Sequence, residues 1–325
     1  MDKTKNMVKL FIILTAIFLI TFMGISVFNK HSKTAFVYRK KEPIKIGATY
    51  MTLNNPFFRV IDDEIRNVVE ANGDVLISLD PVLDLERQKE QIRYLIKQKV
   101  AAIIMNPVNT DGLKAELQMA KEAGIPIITV DSEVNDKDYI TYSIMSDNYS
   151  AGVQCANDMM KQKESARIVL LEHSDAYSAV QRIQGFVDAI KDNPNYTIVK
   201  RIECKGQLEQ AMPLMQTFIK EGIAFDVVMS LNDPSALGAL AALQANHQVK
   251  DVLVYGVDGI PETKALVNDH IMQATVAQSP ITMGKLAIEN TYRIIEGKSF
   301  KKQDRIHVSL ITHDNIAEYS LEGWQ

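Results

Sequence analysis

From Ile44 onward the chain alternates between short, almost continuously apolar runs and longer segments whose apolar residues recur every three or four positions. "IKIGATY" precedes a stretch with Phe57, Ile61, Ile65, Val68 and Val69 on one helical face. "DVLISLD" precedes the charged "LERQKEQIRYLIKQK", and "AAIIMNP" and "IPIITVD" bracket "GLKAELQMAKEAG". The order recurs from "ARIVLLE" through "YTIVKRIE", "FDVVMSLN", "DVLVYGVD" and "MQATVAQ" to "IHVSLITH", with a helical segment between each pair. Strands buried on both faces read as continuous apolar runs, and parallel strands need a crossover, usually helical, to return. The chain is therefore α/β, with parallel sheets covered by helices. Ten such runs exceed one compact open sheet of this kind, so two doubly wound lobes are expected. The polar stretch 132–150, "SEVNDKDYITYSIMSDNYS", is expected to hold the first crossing between them.

The N-terminus is different in kind. Leu10–Phe28 is 19 residues without a charge. As a helix it would be about 28 Å long, close to the hydrocarbon thickness of a bilayer. Residues 1–9 read as a short cytoplasmic leader, 10–28 as one transmembrane signal anchor, and 29–43 as a polar linker reaching about 50 Å when extended. The run is long for a cleaved signal, and no cysteine stands at its end for a lipid; "GIS" at 24–26 is a weak cleavage candidate. Lys3, Lys5 and Lys9 precede the run, while Lys30, Lys33, Arg39, Lys40 and Lys41 follow it. Charge counting alone would keep the large C-terminal part in the cytoplasm.

Composition removes several function classes. Net charge is −4 and the charges are dispersed, so the basic footprint of a nucleic-acid binder is missing. Cys155 and Cys204 form neither a CxxC pair nor a metal knuckle and read as buried free thiols. The chain lacks GxxxxGK, GxGxxG, HExxH and GxSxG, and its six histidines are scattered. No catalytic residue, cofactor or metal is expected.

What stands out instead is the residue at the end of each strand. Asn55 follows the first run, and Asn106, Asp131, Asn232, Asp258 and Gln278 end later ones. In open α/β sheets the ligand crevice lies outside the carboxyl ends of the strands, so these six side chains can converge on one cleft. Asn and Asp at a strand end also cap helices, and Asn55 before Pro56 fits a cap. Arg182 in "QRIQGF" adds a planar donor. Amides, carboxylates and a guanidinium together suit vicinal hydroxyls, while Phe57 and Phe58 offer a wall for an apolar ring face, or serve as core.

"TLNNPFF", "IIMNP", "IPIITVDS", "SDNYSAG", "RIQGF", "NDPSALGALAALQ", "YGVDG" and "ATVAQSP", in this order, resemble the ribose-type periplasmic sugar-binding proteins, whose fold LacI-type repressors share. The resemblance covers about residues 44–315. It implies two lobes joined by a three-strand hinge, with 44–146 and 279–309 in the first and 147–278 and 310–325 in the second. It implies ligand contacts from Asn55, Phe57, Phe58, Asn106 and Asp131 on one side and Arg182, Asn232, Asp258 and Gln278 on the other. Three positions depart from ribose binders: Ser132 replaces an arginine, Val257 an aromatic, and the stretch around Lys205 lacks an aromatic. These departures favour a different pentose or a hexopyranose as readily as ribose.

A repressor would begin with a helix-turn-helix, whereas this chain begins with an apolar span. The domain is therefore expected outside the cytoplasm, tethered by its N-terminal helix, against the charge count. The expected function is binding of a monosaccharide by hinge closure, read by an ABC permease or a sensor histidine kinase. The alternatives are a receptor for a non-sugar small molecule such as a furanose-like signal, and a cytoplasmic LacI-like effector-binding regulator.

Overall fold

The computed structural model describes residues 42–325, and Pro43–Gln325 forms one compact unit. The signal-anchor reading of 10–28 and all but the last two residues of the linker lie outside the described residues. Among the described residues no helix is long and apolar enough to cross a membrane.

The unit is built from two six-stranded sheets. The first contains β1 (Lys45–Thr49), β2 (Val75–Leu79), β3 (Ile103–Met105), β4 (Ile127–Val130), β5 (Tyr142–Ser146) and β11 (Gln303–Ile306), in the order β11-β5-β4-β3-β1-β2, all parallel. The second contains β6 (Ala166–Glu172), β7 (Tyr196–Glu203), β8 (Val227–Ser230), β9 (Leu253–Asp258), β10 (Ala274–Ala277) and β12 (Ser309–Thr312), in the order β12-β10-β9-β8-β6-β7. Only β12 runs antiparallel to its neighbour. Each lobe thus repeats one winding order, and each has its switch point beside its first strand.

The helices are α1 (Pro56–Ala71), α2 (Leu85–Lys97), α3 (Lys114–Glu122), α4 (Asn148–Gln162), α5 (Tyr177–Ile190), α6 (Leu208–Lys220), α7 (Asp233–Ala245), α8 (Pro261–Asn268) and α9 (Pro280–Ile295). α1 illustrates why they form. Asn55 accepts from the Phe57 N–H at 2.9 Å, Pro56 sits at the first turn, and Phe57, Phe58, Ile61, Ile65 and Val69 face the core. Gly73, at φ 73°, supplies the left-handed residue that ends it.

The chain changes sheet three times. It leaves β5 at Asp147 for α4, leaves β10 at Gln278–Ser279 for α9, which packs on α1, and leaves β11 at His307–Val308 for β12. Two strands escape the apolar-run criterion. β5, "YSIMS", lies inside the polar stretch 132–150 and carries two buried serines, of which Ser143 bonds sideways, sharing a 2.7 Å hydrogen bond with Thr129 on β4. β11, "QDRI", is a half-exposed edge strand with one neighbour, so it needs no apolar pattern.

Candidate functional site

The carboxyl ends of both sheets face one cavity of about 400 Å³, counting the part open to solvent. Asn55, Phe57, Phe58 and Asp131 line it from the first lobe, and Arg182, Asn232 and Asp258 from the second. Asn106 and Gln278 stand one bond behind. Asn106 is fully buried and accepts from the Met51 N–H at 3.1 Å. Its amide donates to Val130 O at 3.1 Å and towards Asp131 Oδ2 at 3.4 Å. It therefore ties the ends of β1, β3 and β4 together. Gln278 donates to Asp258 Oδ1 at 2.7 Å.

Arg182 is the centre of the arrangement. It is 4% exposed, its Nε donates to Asn148 Oδ1 at 2.8 Å and its Nη1 to Leu231 O at 3.0 Å. Asp131 of the other lobe lies 3.5 Å from Nη2, and Asp258 lies 3.7 Å from Nη1. These distances are charge contacts rather than good hydrogen bonds. Burial pushes both carboxyls above the usual range, and Arg182 pulls both back; Asp233 and Asp131 push Asp258 further up. Asp131 Oδ1, Asp258 Oδ2 and Gln278 Oε1 are buried and lack a hydrogen-bond partner among the described residues. Buried acceptors are normally satisfied; of these three, those on Asp131 and Asp258 belong to residues that line the cavity.

Both aspartates sit on unusual backbone. Asp131 has φ 64° and Asp258 φ 145°. Such conformations at a cleft are costly and survive only where surrounding bonds hold them. At Asp258 the holding group is Asp233, fully buried, which accepts from the N–H groups of Gly259 at 2.8 Å and Ile260 at 3.0 Å and from the hydroxyls of Thr263 and Thr275.

Helix capping and cavity lining coexist. Asn55 and Asn232 both cap helices and both line the cavity, whereas Asn106, Asp131, Asp258 and Gln278 cap nothing. Phe57 and Phe58 are 2% and 4% exposed, yet both border the cavity. Of the departing positions, Ser132 accepts from the Ser178 N–H, Val257 is buried in β9 away from the cavity, and Lys205 lines its rim.

Sequence reasoning missed His173, Ser178, Gln207 and Asn148. His173 follows β6 as the named residues follow their strands, and burial pushes its imidazole down. Ser178 donates to Asp131 Oδ2 at 3.2 Å across the lobe boundary, a pairing without local signal. The lobes also meet at the rim: Thr110 donates from both N–H and hydroxyl to Asp175 O at 2.8 Å, and Asn54 donates to Glu209 Oε1 at 2.9 Å.

A sequence profile described as a periplasmic binding protein domain matches residues 46–299. The chain belongs to the periplasmic binding protein family. Among its relatives, the ribose import binding protein of Bacillus subtilis is 30% identical over 264 residues, covering 81% of this chain and 85% of that one. A D-apiose import binding protein of Paraburkholderia graminis is 26% identical, covering 82% and 87%. Among solved structures, an ABC transporter solute binding protein of Bacillus halodurans with bound myo-inositol superposes with a TM-score of 0.80 at 25% identity, covering 85% of this chain and 96% of that one. The arabinose-transporter component of a Shewanella species, bound to L-arabinofuranose, gives 0.78 at 27% identity, covering 84% and 93%. This periplasmic binding protein is accordingly extracytoplasmic and a solute binder rather than an enzyme.

Proposed function

We propose that this protein captures a neutral monosaccharide between its lobes and presents the closed form to a membrane partner. The observation that carries this reading is the pair of buried, unpartnered carboxylate oxygens of Asp131 and Asp258 beside Arg182, in a cavity that Phe57 and Phe58 also line. Sugar hydroxyls are the donors such oxygens lack, and C–H faces suit the rings. The assigned contacts are Asn55, Phe57, Phe58, Asn106, Asp131, Arg182, Asn232, Asp258 and Gln278. The moving bodies are about 44–146 with 279–309, and 147–278 with 310–325. The ligands of those relatives, ribose, apiose, myo-inositol and arabinofuranose, support a small polyol ring without choosing among them.

The names of those relatives favour an ABC permease as partner. Tethering by residues 10–28 favours a neighbour in the same membrane, which includes a sensor histidine kinase, because weak docking suffices at high effective concentration. The decisive test is calorimetry of the full chain in detergent against a monosaccharide and cyclitol panel. Saturable binding of one of these without metal is expected; saturation by an amino acid or a phosphate ester, with silence towards every polyol, overturns the reading. For the tether, protease added outside wall-stripped cells should release the binding domain, and a mature N-terminus beginning near Val27 would overturn retention of the span.

A further inference from the structure

The C-terminal segment reaches the cavity wall from the opposite lobe. After β12 the chain makes a short turn at Ile316–Glu318 beside α8 and continues to Gln325 without regular structure. Lys264, on α8, is fully buried, and its ammonium donates to the carbonyls of Ser320 and Gly323. A buried ammonium is costly unless hydrogen-bonded, so these bonds fix the segment as a strap on the second lobe. The strap brings Trp324 against Phe57 of the first lobe, with ring centroids 5.8 Å apart and planes at 65°. Phe57 also meets Phe58 edge-on at 5.5 Å. The cavity-facing ring is therefore held by an aromatic of its own helix and by one delivered from the other lobe. The strap lies beyond residues 46–299, so this contact belongs to the part of the chain outside the family match.

We infer that Trp324 is a positioning residue for the ligand-facing ring of Phe57, delivered across the lobe boundary by a strap that Lys264 anchors. This rests on the sugar-binding reading above. A platform ordered before ligand arrives spares the complex the entropy of ordering it. Because the anchor is in one lobe and the contact in the other, the ring pair also belongs to the closed spacing of the lobes and should slow ligand release.

The test uses the full chain in detergent, with D-ribose, L-arabinose, D-allose and myo-inositol as probes. Trp324 is the chain's one tryptophan, so emission reports on this contact alone. A binding polyol should shift that emission in wild type. Trp324→Ala should weaken binding roughly 2- to 12-fold, mainly through faster dissociation, with Trp324→Phe restoring most of it. Lys264→Met should reproduce the loss and expose Trp324 to acrylamide quenching. If wild type binds a probe and Trp324→Ala keeps its affinity and dissociation rate, the positioning role falls while the sugar-binding reading stands. If wild type binds neither these probes nor any other polyol of the full panel, the sugar-binding reading falls and takes the positioning role with it.

Discussion

At the scale of single residues the site is one guanidinium between two carboxylates from opposite lobes. Removing one partner of a buried charged pair leaves the other uncompensated, at about 3–5 kcal/mol. Arg182→Ala should therefore lower stability as well as binding, whereas the isosteric Asp131→Asn and Asp258→Asn should spare the fold and lose roughly 5- to 150-fold in affinity, as one acceptor per variant turns donor. Denaturant unfolding beside calorimetry separates the two effects. Proton linkage gives a second expectation. Both aspartates titrate above their unfolded values, so between those values the folded chain holds more protons and loses stability as pH rises. Hydroxyl donors favour the ionised carboxylates, so binding should release protons and weaken as pH falls through the raised range. Calorimetry in two buffers of different ionisation enthalpy reads the release directly; proton uptake would contradict it.

At the scale of elements, the contact that positions Arg182 is the crossing of α4 and α5 through two glycines. A Cβ on Gly152 would lie 1.8 Å from Arg182 O, and one on Gly185 would lie 2.1 Å from Tyr149 O. These neighbours are backbone and cannot swing aside. Gly152→Ala should force the helices apart, destabilise by about 1–3 kcal/mol and carry Arg182 off its carboxylates, so thermal unfolding and affinity should fall together. Elements of this kind were largely legible in the sequence, since an apolar run or a 3.6-residue period records burial on two faces or one. β5 and β11 were not, because two buried serines in the one and an edge position in the other remove the apolar signature. The capping question at Asn55 and Asn232 was legible only as a choice, and in the fold both cap helices while lining the cavity.

For the molecule as a whole, the lobes touch through bonds at the rim as well as in the site. Thr110–Asp175 and Asn54–Glu209 join residues far apart in sequence, and no periodicity announces such pairs. That is why the strand-end residues could be read in advance, as His173 after β6 could have been, while Ser178 and the rim could not: the first follow from the rule for open sheets, the others from the distance between two bodies. Asn54→Ala should weaken ligand binding about 2- to 12-fold, chiefly in the dissociation rate, and stopped-flow displacement measures it; an unchanged rate would mean that the rim adds nothing to closure.

The repeated winding order has an electrical consequence. It aims the first turns of α1, α5 and α7 at the same cavity, each start carrying roughly half a positive charge. Asp131 and Asp258 stand against Arg182 and the rim's Lys205, so the formal charges of these four cancel, only the screened helix starts remain, and the cleft projects little field into the surrounding water. An uncharged solute should thus arrive by plain diffusion, at an association rate nearly the same in dilute and concentrated salt, and competing ions at the cell surface should neither crowd the entrance nor clear it.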